Sequence, residues 1–420
     1  MLIHRAYVFR LEPTPEQAEK FASFAGACRA VYNIALEQRQ TWGRRRRINW
    51  ATQSVEITEL RQQFDWLGAV PRECLDAEVR QLDTAYQRFF HGEGGYPKFK
   101  KKGDGDGFRI THGDYIHLRR LTKRAGAVKV PKIGWVRLRG FRSIDGELRG
   151  LTITRRAGHW WVSIEWQREI VDPVPLAGEI GIDRGVAVLA ATSAGEMYSP
   201  PSFIAAGAER VANLQRKMER QAKGSTRRLR TLERLRRVRK RIADARKDYL
   251  HKLSTQIAKS HGTICIEKLK TRNMTASAAG TVDRPGRNVR QKAGLNQAIL
   301  DRGWSTFATM LRYKAEERGG RVIEVPAAYT SQTCSSCGCV DATSRKSQAA
   351  FACTGCGFTA NADHNAALNV LAAGLAAAAR GSNDVGRRKR EPSKVTAARR
   401  PSQRKPALPA DANVHGHMVA

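Results

Sequence analysis

The sequence predicts an α+β multidomain protein: a small β-barrel carrying a helical insertion, an α/β unit on parallel strands, and a four-cysteine zinc ribbon set into that unit. Three observations carry this. Helical periodicity up to Phe90 gives way to alternating strands over residues 110–166. Two apolar strands, each ending in an acid, flank a long basic helical run. Two Cys-x-x-Cys pairs, CSSCG and CTGCG, then stand fifteen residues apart.

Residues 15–40 read as a helix, because Phe21, Phe24, Ala25, Cys28, Val31, Tyr32 and Leu36 recur at helical spacing. Glu16 and Glu19 suit its first turn. A basic run follows at 44–47, more helix reaches Phe90, and the chain turns Gly-rich at YPKFKKKGDGDG. LTITRR, an Ala-Gly-His turn and HWWVSIEW then alternate with period two, as a hairpin does.

From Glu179, EIGIDRGVAVLAATSAGEMY reads as a buried strand, a tight turn and a second strand. Residues 205–260 hold eighteen Lys and Arg against five acids. Leu235, Val238, Ile242, Ala245, Tyr249 and Leu253 keep one apolar stripe through them, and Lys223-Gly224-Ser225 breaks the run into a helical hairpin. Its basic face suits phosphate contact or a solvated surface. HGTICIEKLK supplies a short strand ending in Glu267, and 271–294 is a polar loop. A helix is expected from near Leu295 to about Arg318, then the strand RVIEVP and, beyond the cysteines, the helix NADHNAALNVLAAG. Residues 380–420 carry ten basic and three acidic residues and no apolar period, so a disordered tail is expected.

A formal net charge of +35, a pI near 10.6 and an ordinary 41% of hydrophobic residues describe a folded, strongly basic chain. A polyanion is its natural partner, because Lys and Arg that neutralise phosphates release condensed counterions. The start, MLIHRAYVFRLEPTPEQ, is not a signal peptide, and no apolar run is long enough for a membrane span. A reducing, cytoplasmic compartment is expected, where paired cysteines point to metal or redox work before disulfides.

Of eight cysteines, Cys28, Cys74 and Cys265 sit in apolar settings as small core residues. Cys334, Cys337, Cys353 and Cys356 have the spacing with which two tight turns offer four thiolates to Zn²⁺. Cys339 is the extra thiol, read as non-ligating. A closed site of four cysteines has no open position, so this zinc should support folding and not chemistry.

Asp183 ends the strand IGID and Glu267 ends TICIE, while Asp363 lies in the first turn of the last helix. The intervening basic hairpin lets the two strands lie parallel with a crossover, and sites in such sheets form at strand carboxyl ends. A carboxylate ending a buried strand is costly unless paired or cation-bound. Three converging acids suit two Mg²⁺ or Mn²⁺ ions. Asn365 and Asn369, on one face of that helix, either orient Asp363 or its bound water or are surface polar residues.

VYNIALEQRQ, YPKFK, GIDRG, IEKLK, GLNQAILDRGW, YKAEERGG, VPAAYTSQTCSSCG and ADHNAALN resemble the TnpB family, and the resemblance spans nearly the whole chain. That family comprises RNA-guided nucleases of insertion sequences, relatives of type V CRISPR effectors. The resemblance implies an RNase H-like (RuvC) nuclease with Asp183, Glu267 and Asp363 as catalytic acids and Mg²⁺ or Mn²⁺ ligands. It implies Zn²⁺ on the four ribbon cysteines. It also implies a wedge-like β-barrel over 1–178 with a helical recognition lobe inserted at about 15–105. A RuvC domain over 179–329 would contain the hairpin 205–260, followed by the ribbon 330–358, the last RuvC segment 359–378 and a basic tail 379–420. The implied partners are a guide RNA from a transposon end and double-stranded target DNA beside a short adjacent motif. Arg184 departs from the Leu of many members and is expected to place a cation beside the metals. A CRISPR effector or a nuclease-inactive guided DNA binder are the alternatives; the presence of all three acids favours an active nuclease.

Overall fold

A computed structural model describes residues 2–43, 48–103, 105–170 and 176–388, with side chains through residue 380. The basic run 44–47 and the tail beyond 388 lie outside the described residues. The chain opens with β1 (Leu2–Glu12) and passes into α1 (Pro15–Trp42). Thr14 and Gln17 form a capping box: each side chain accepts from the other's backbone N–H, at 3.3 and 3.1 Å. Next come α2 (Trp50–Gln63), the single turn α3 (Asp65–Gly68) and α4 (Arg72–Phe90).

Six strands follow: β2 (Gly107–Ile110), β3 (His117–Arg120), β4 (Ala125–Val130), β5 (Gly134–Arg139), β6 (Glu147–Arg156) and β7 (His159–Glu169). With β1 they make an antiparallel seven-stranded sheet of order β2-β6-β7-β1-β5-β4-β3. The aromatic residues of α1 seal it. Phe21 meets Phe108 and Trp160 at ring-centroid distances of 5.8 and 5.2 Å, and Phe24 meets Phe108 at 5.5 Å. Tilted and edge-on rings at such distances add to the stabilisation that burial alone supplies.

The second sheet begins with β8 (Glu179–Asp183), β9 (Ala190–Thr192) and β10 (Met197–Tyr198). The basic hairpin is α5 (Ala205–Glu219) and α6 (Thr226–Ser260), and Ser225 caps α6 by accepting from Arg228 N at 3.2 Å. Then come β11 (Thr263–Glu267), the short α7 (Thr271–Met274), α8 (Val289–Arg302), α9 (Trp304–Glu316) and β12 (Arg321–Val325). The cysteine-rich segment holds the pair β13 (Ala350–Ala352) and β14 (Thr359–Asn361), followed by α10 (Ala362–Arg388). The sheet order is β10-β9-β8-β11-β12, with β8, β11 and β12 parallel and β9 and β10 antiparallel. By its contacts the chain forms one unit through Gly374 and another from Leu375.

Ile180 and Ile182 of β8 and Ile264 and Ile266 of β11 pack with Leu253 and Ile257 of α6 and Phe307 and Leu311 of α9. Cys265 and Val325 instead pack with Val370 of α10, so this sheet is covered on both faces. Gly181 makes the second covering possible. A Cβ there would stand 2.2 Å from the Ala367 carbonyl oxygen and 2.7 Å from Leu371 Cβ. Gly181→Ala is therefore expected to lower stability by about 1–3 kcal/mol, the usual range for overpacking. Chemical denaturation checks this, and an unchanged midpoint would mean that α10 shifts freely.

Three expectations need correction. The helix expected from Leu295 starts at Val289, after a left-handed Asn288 (φ 52°), so the polar loop is shorter. It also does not run through to Arg318: Gly303, at φ 68°, separates α8 from α9. The last helix passes through an alanine-rich run and continues to Arg388, past the point where the tail was expected. No helix among the described residues is long and apolar enough to cross a membrane.

Candidate active site and metal centre

Parallel pairing of β8 with β11 sets Ile182 opposite Ile266, so the next residues, Asp183 and Glu267, end adjacent strands together. Asp363 arrives from the first turn of α10, where Asn361 Oδ1 accepts from Asp363 N at 2.9 Å and from His364 N at 3.3 Å. Asp183 feels the other two acids. Burial, then the charges of Glu267 and Asp363, push the Asp183 carboxyl up to about 7, against the opposing pull of Arg345. Burial also raises Asp363, again opposed by Arg345. Among the described residues, only the four ribbon cysteines bring three or more ligand atoms within 4.8 Å of one another, so the acids stand in a looser group.

Glu267 is 6% exposed, and its Oε1 accepts a 2.5 Å hydrogen bond from the Thr330 hydroxyl. Arg345, between the two cysteine pairs, places Nη2 3.3 Å from Asp363 Oδ1 and 3.2 Å from the Gln348 carbonyl. Sequence reading missed both contacts. Thr330 lies 63 residues from Glu267, and a single Thr or Arg in a polar stretch carries no periodic signal.

One reading is sharpened here and another changes. Arg184 is buried, and its guanidinium donates to the carbonyls of Glu267 and, at 3.3 Å, Trp304. It braces main chain while its charge still feels Glu267 and Asp183, so the expected cation beside the acids is present, bound to carbonyls. Trp304 Nε1 returns a bond to the Gly185 carbonyl at 3.2 Å, locking the turn after Asp183 onto α9. Asn365 is fully buried and Asn369 half-buried, and their amides bind the ribbon's entry loop and not Asp363. Asn365 Nδ2 donates to the Thr333 carbonyl at 2.7 Å and its Oδ1 accepts from Ser335 N at 2.9 Å. Asn369 Nδ2 donates to the carbonyls of Thr330 and Thr333, at 2.9 and 2.7 Å.

The four expected thiols come together. Cys334 Sγ lies 3.7 Å from Cys356 Sγ, and Cys337 Sγ lies 3.6 Å from Cys353 Sγ. A tetrahedral zinc with bonds of about 2.3 Å requires sulfur separations of about 3.8 Å, so the donor set fits Zn²⁺. Backbone N–H groups of Cys356 and Gly355, each 3.4 Å from Cys353 Sγ, hold that thiol down at about 6, which favours the ligating thiolate. Cys339 lies outside the group, and its carbonyl accepts from Cys334 N at 2.9 Å.

Fold and site together define a mixed α/β protein with a group of acids and a four-cysteine cluster whose geometry fits a metal ion. Three family descriptions match it: "Cas12f1-like, TNB domain" over 304–370, "Probable transposase" over 163–278 and "Helix-turn-helix domain" over 1–47. The described part of 1–47 is nevertheless one strand and one helix, β1 and α1. The chain is 39% identical to a protein of Escherichia coli (strain K12) named as an RNA-guided DNA endonuclease, InsQ, over 94% of this chain and 98% of that one. It is 32% identical to a Streptomyces pristinaespiralis protein named likewise, again over 94% and 98%. The chain belongs to the TnpB family. A solved chain from a Cas12f1–sgRNA–target DNA complex shares its fold, with a TM-score of 0.56 and 16% identity over 85% of this chain and 83% of that one.

Proposed function

We propose that the chain is an RNA-guided DNA endonuclease hydrolysing phosphodiesters at Asp183, Glu267 and Asp363. The observation that carries this is the meeting of Asp363 of α10 with the acids at the carboxyl ends of β8 and β11, with Asp183 pushed up to about 7 by burial and by the other two charges. Such a group is unfavourable by itself and is relieved by divalent cations. Asp183, which feels both other acids, would be the shared ligand. Bound there, Mg²⁺ or Mn²⁺ would activate water for attack on a phosphodiester and stabilise the leaving 3′ oxygen. The chain's own part is to hold the carboxylates, with Thr330 on Glu267 and Arg345 on Asp363.

The sheet order β10-β9-β8-β11-β12 supports an RNase H-like, RuvC-type reading of 179–329 with 359–378. The antiparallel sheet with helices α1–α4 between its first two strands supports the wedge and recognition-lobe reading of 1–178. Arg227, Arg230, Arg234, Arg237 and Arg241 recur along α6 at steps of three and four and are exposed, forming a stripe suited to a phosphate backbone. A guide RNA from the transposon end and double-stranded target DNA are the proposed partners. The names borne by the relatives favour this over a CRISPR effector.

Expressed with its flanking DNA, the protein should copurify with a discrete RNA and cut a plasmid matching that RNA when Mg²⁺ is supplied. No RNA, or equal cutting of an unmatched plasmid, would sink the reading. If about eight phosphates are neutralised, binding should fall with salt at a log–log slope of about −7, and a flat response would remove the charge-led argument.

A further inference from the structure

The loop leading into the ribbon is tied to both halves of the carboxylate centre. Thr330, itself buried, has one hydroxyl proton and two nearby acceptors, Glu267 Oε1 at 2.5 Å and the Ala327 carbonyl at 3.2 Å. The shorter, charge-assisted bond to the carboxylate prevails. It occupies one oxygen of Glu267 and leaves the other for a cation. Just before it, Tyr329 adopts φ 65°, a left-handed conformation unusual for a bulky residue. That turn is closed by the Tyr329 carbonyl, which accepts from Gln332 N at 2.9 Å, Thr333 N at 3.0 Å and Thr333 Oγ1 at 2.8 Å.

The carbonyls of Thr330 and Thr333 are in turn gripped by Asn369, with Asn365 sharing Thr333 and holding Ser335 N. Cys334, the first ribbon thiol, lies between those gripped residues. Both asparagines belong to α10, the helix that carries Asp363 and lies against Gly181 of β8.

We propose that Thr330 is a positioning residue for Glu267, and that the ribbon's entry loop, held by Asn365 and Asn369, thereby sets the geometry of the carboxylate centre. This rests on the nuclease reading above. The ribbon is then the outer support of the active site as well as a zinc-stabilised fold. Outer partners of this kind typically change metal affinity or activity by about 10–100-fold when removed.

The test compares guide-loaded wild type, Thr330→Val, Thr330→Ser, Asn369→Ala and Asp183→Ala. Each is assayed for Mn²⁺ binding by electron paramagnetic resonance, for Mg²⁺ dependence of single-turnover cutting and for zinc content. Thr330→Val should bind Mn²⁺ roughly 10-fold more weakly and need correspondingly more Mg²⁺, with zinc and guide RNA retained. Thr330→Ser, which keeps the hydroxyl, should match wild type, and Asn369→Ala should shift metal affinity by a few-fold (~3-fold). Wild-type metal affinity in Thr330→Val, or equal impairment in Thr330→Ser, overturns the proposal. If Thr330→Val loses zinc as well, Asn369→Ala decides, and unchanged Mn²⁺ binding there overturns it. If Asp183→Ala cuts and binds Mn²⁺ like wild type, it is the nuclease reading that fails.

Discussion

Guide-loaded protein carrying Asp183→Asn is expected to bind its target DNA but cut it roughly 10³-fold more slowly than wild type. In buffer free of Mg²⁺, the same variant should unfold at a higher temperature than wild type above pH 7. Both effects have one origin. Asp183 ends a strand buried on both faces and stands near two other acids, so its carboxyl is pushed from 3.8 up to about 7. The folded protein therefore holds a proton that the unfolded chain releases near pH 4. Stability from this group is fully present below about pH 4, falls as pH rises towards 7, and is lost above it. A shift of that size corresponds to at most about 4 kcal/mol. Asparagine cannot ionise and so avoids the loss, but it also cannot supply the negative charge that a divalent ion needs. Melting curves at pH 5 and pH 8 check the first effect, and single-turnover cleavage of a matched plasmid checks the second. Strong chelators must be left out, since they would strip zinc. Equal melting at pH 8 together with undiminished cutting would remove Asp183 from the centre.

Replacing Cys353 and Cys356 by Ser should abolish zinc retention and reduce cutting by about 100-fold, the upper end for losing outer support, with guide RNA affinity much less affected. Structural zinc in small ribbons contributes apparent free energies of about 10–16 kcal/mol, far more than the few apolar residues of this segment supply. Its buried cluster is only Cys334, Phe351, Cys353 and Ala362, with Cys339 and Phe358 against it. Once the thiols no longer share an ion, the positions of Thr330 and Arg345 are no longer enforced, and both touch the acids. The basic hairpin and the antiparallel sheet do not depend on the ribbon for their cores. Zinc content by mass spectrometry, filter binding of the RNA and plasmid cutting measure the three effects. Parallel loss of RNA binding and cutting would reduce zinc to a support for the whole fold.

Local rules made much of this legible. Two Cys-x-x-Cys pairs and two apolar strands ending in acids are signals confined to a few residues, and the parallel pairing of IGID with TICIE followed from the long helical connection between them. What stayed hidden depends on distant partners. Arg184 was legible as a cation beside the acids, but its hydrogen bonds to the carbonyls of Glu267 and Trp304 were not. Asn365 and Asn369 looked like neighbours of Asp363, yet their amides meet a loop more than thirty residues away. The helix expected from Leu295 to about Arg318 ran through Gly303, whose left-handed backbone divides α8 from α9.

The placement of α10 has a consequence in time. Asp183 leaves the ribosome 180 residues before Asp363, and at about 5–20 residues per second the delay is roughly 10–40 s. Through that interval the strands that end in Asp183 and Glu267 are made while the helix that carries Asp363 is still missing. Gly181 leaves the space that the last helix fills, so the face of β8 that α10 covers is completed only late in synthesis.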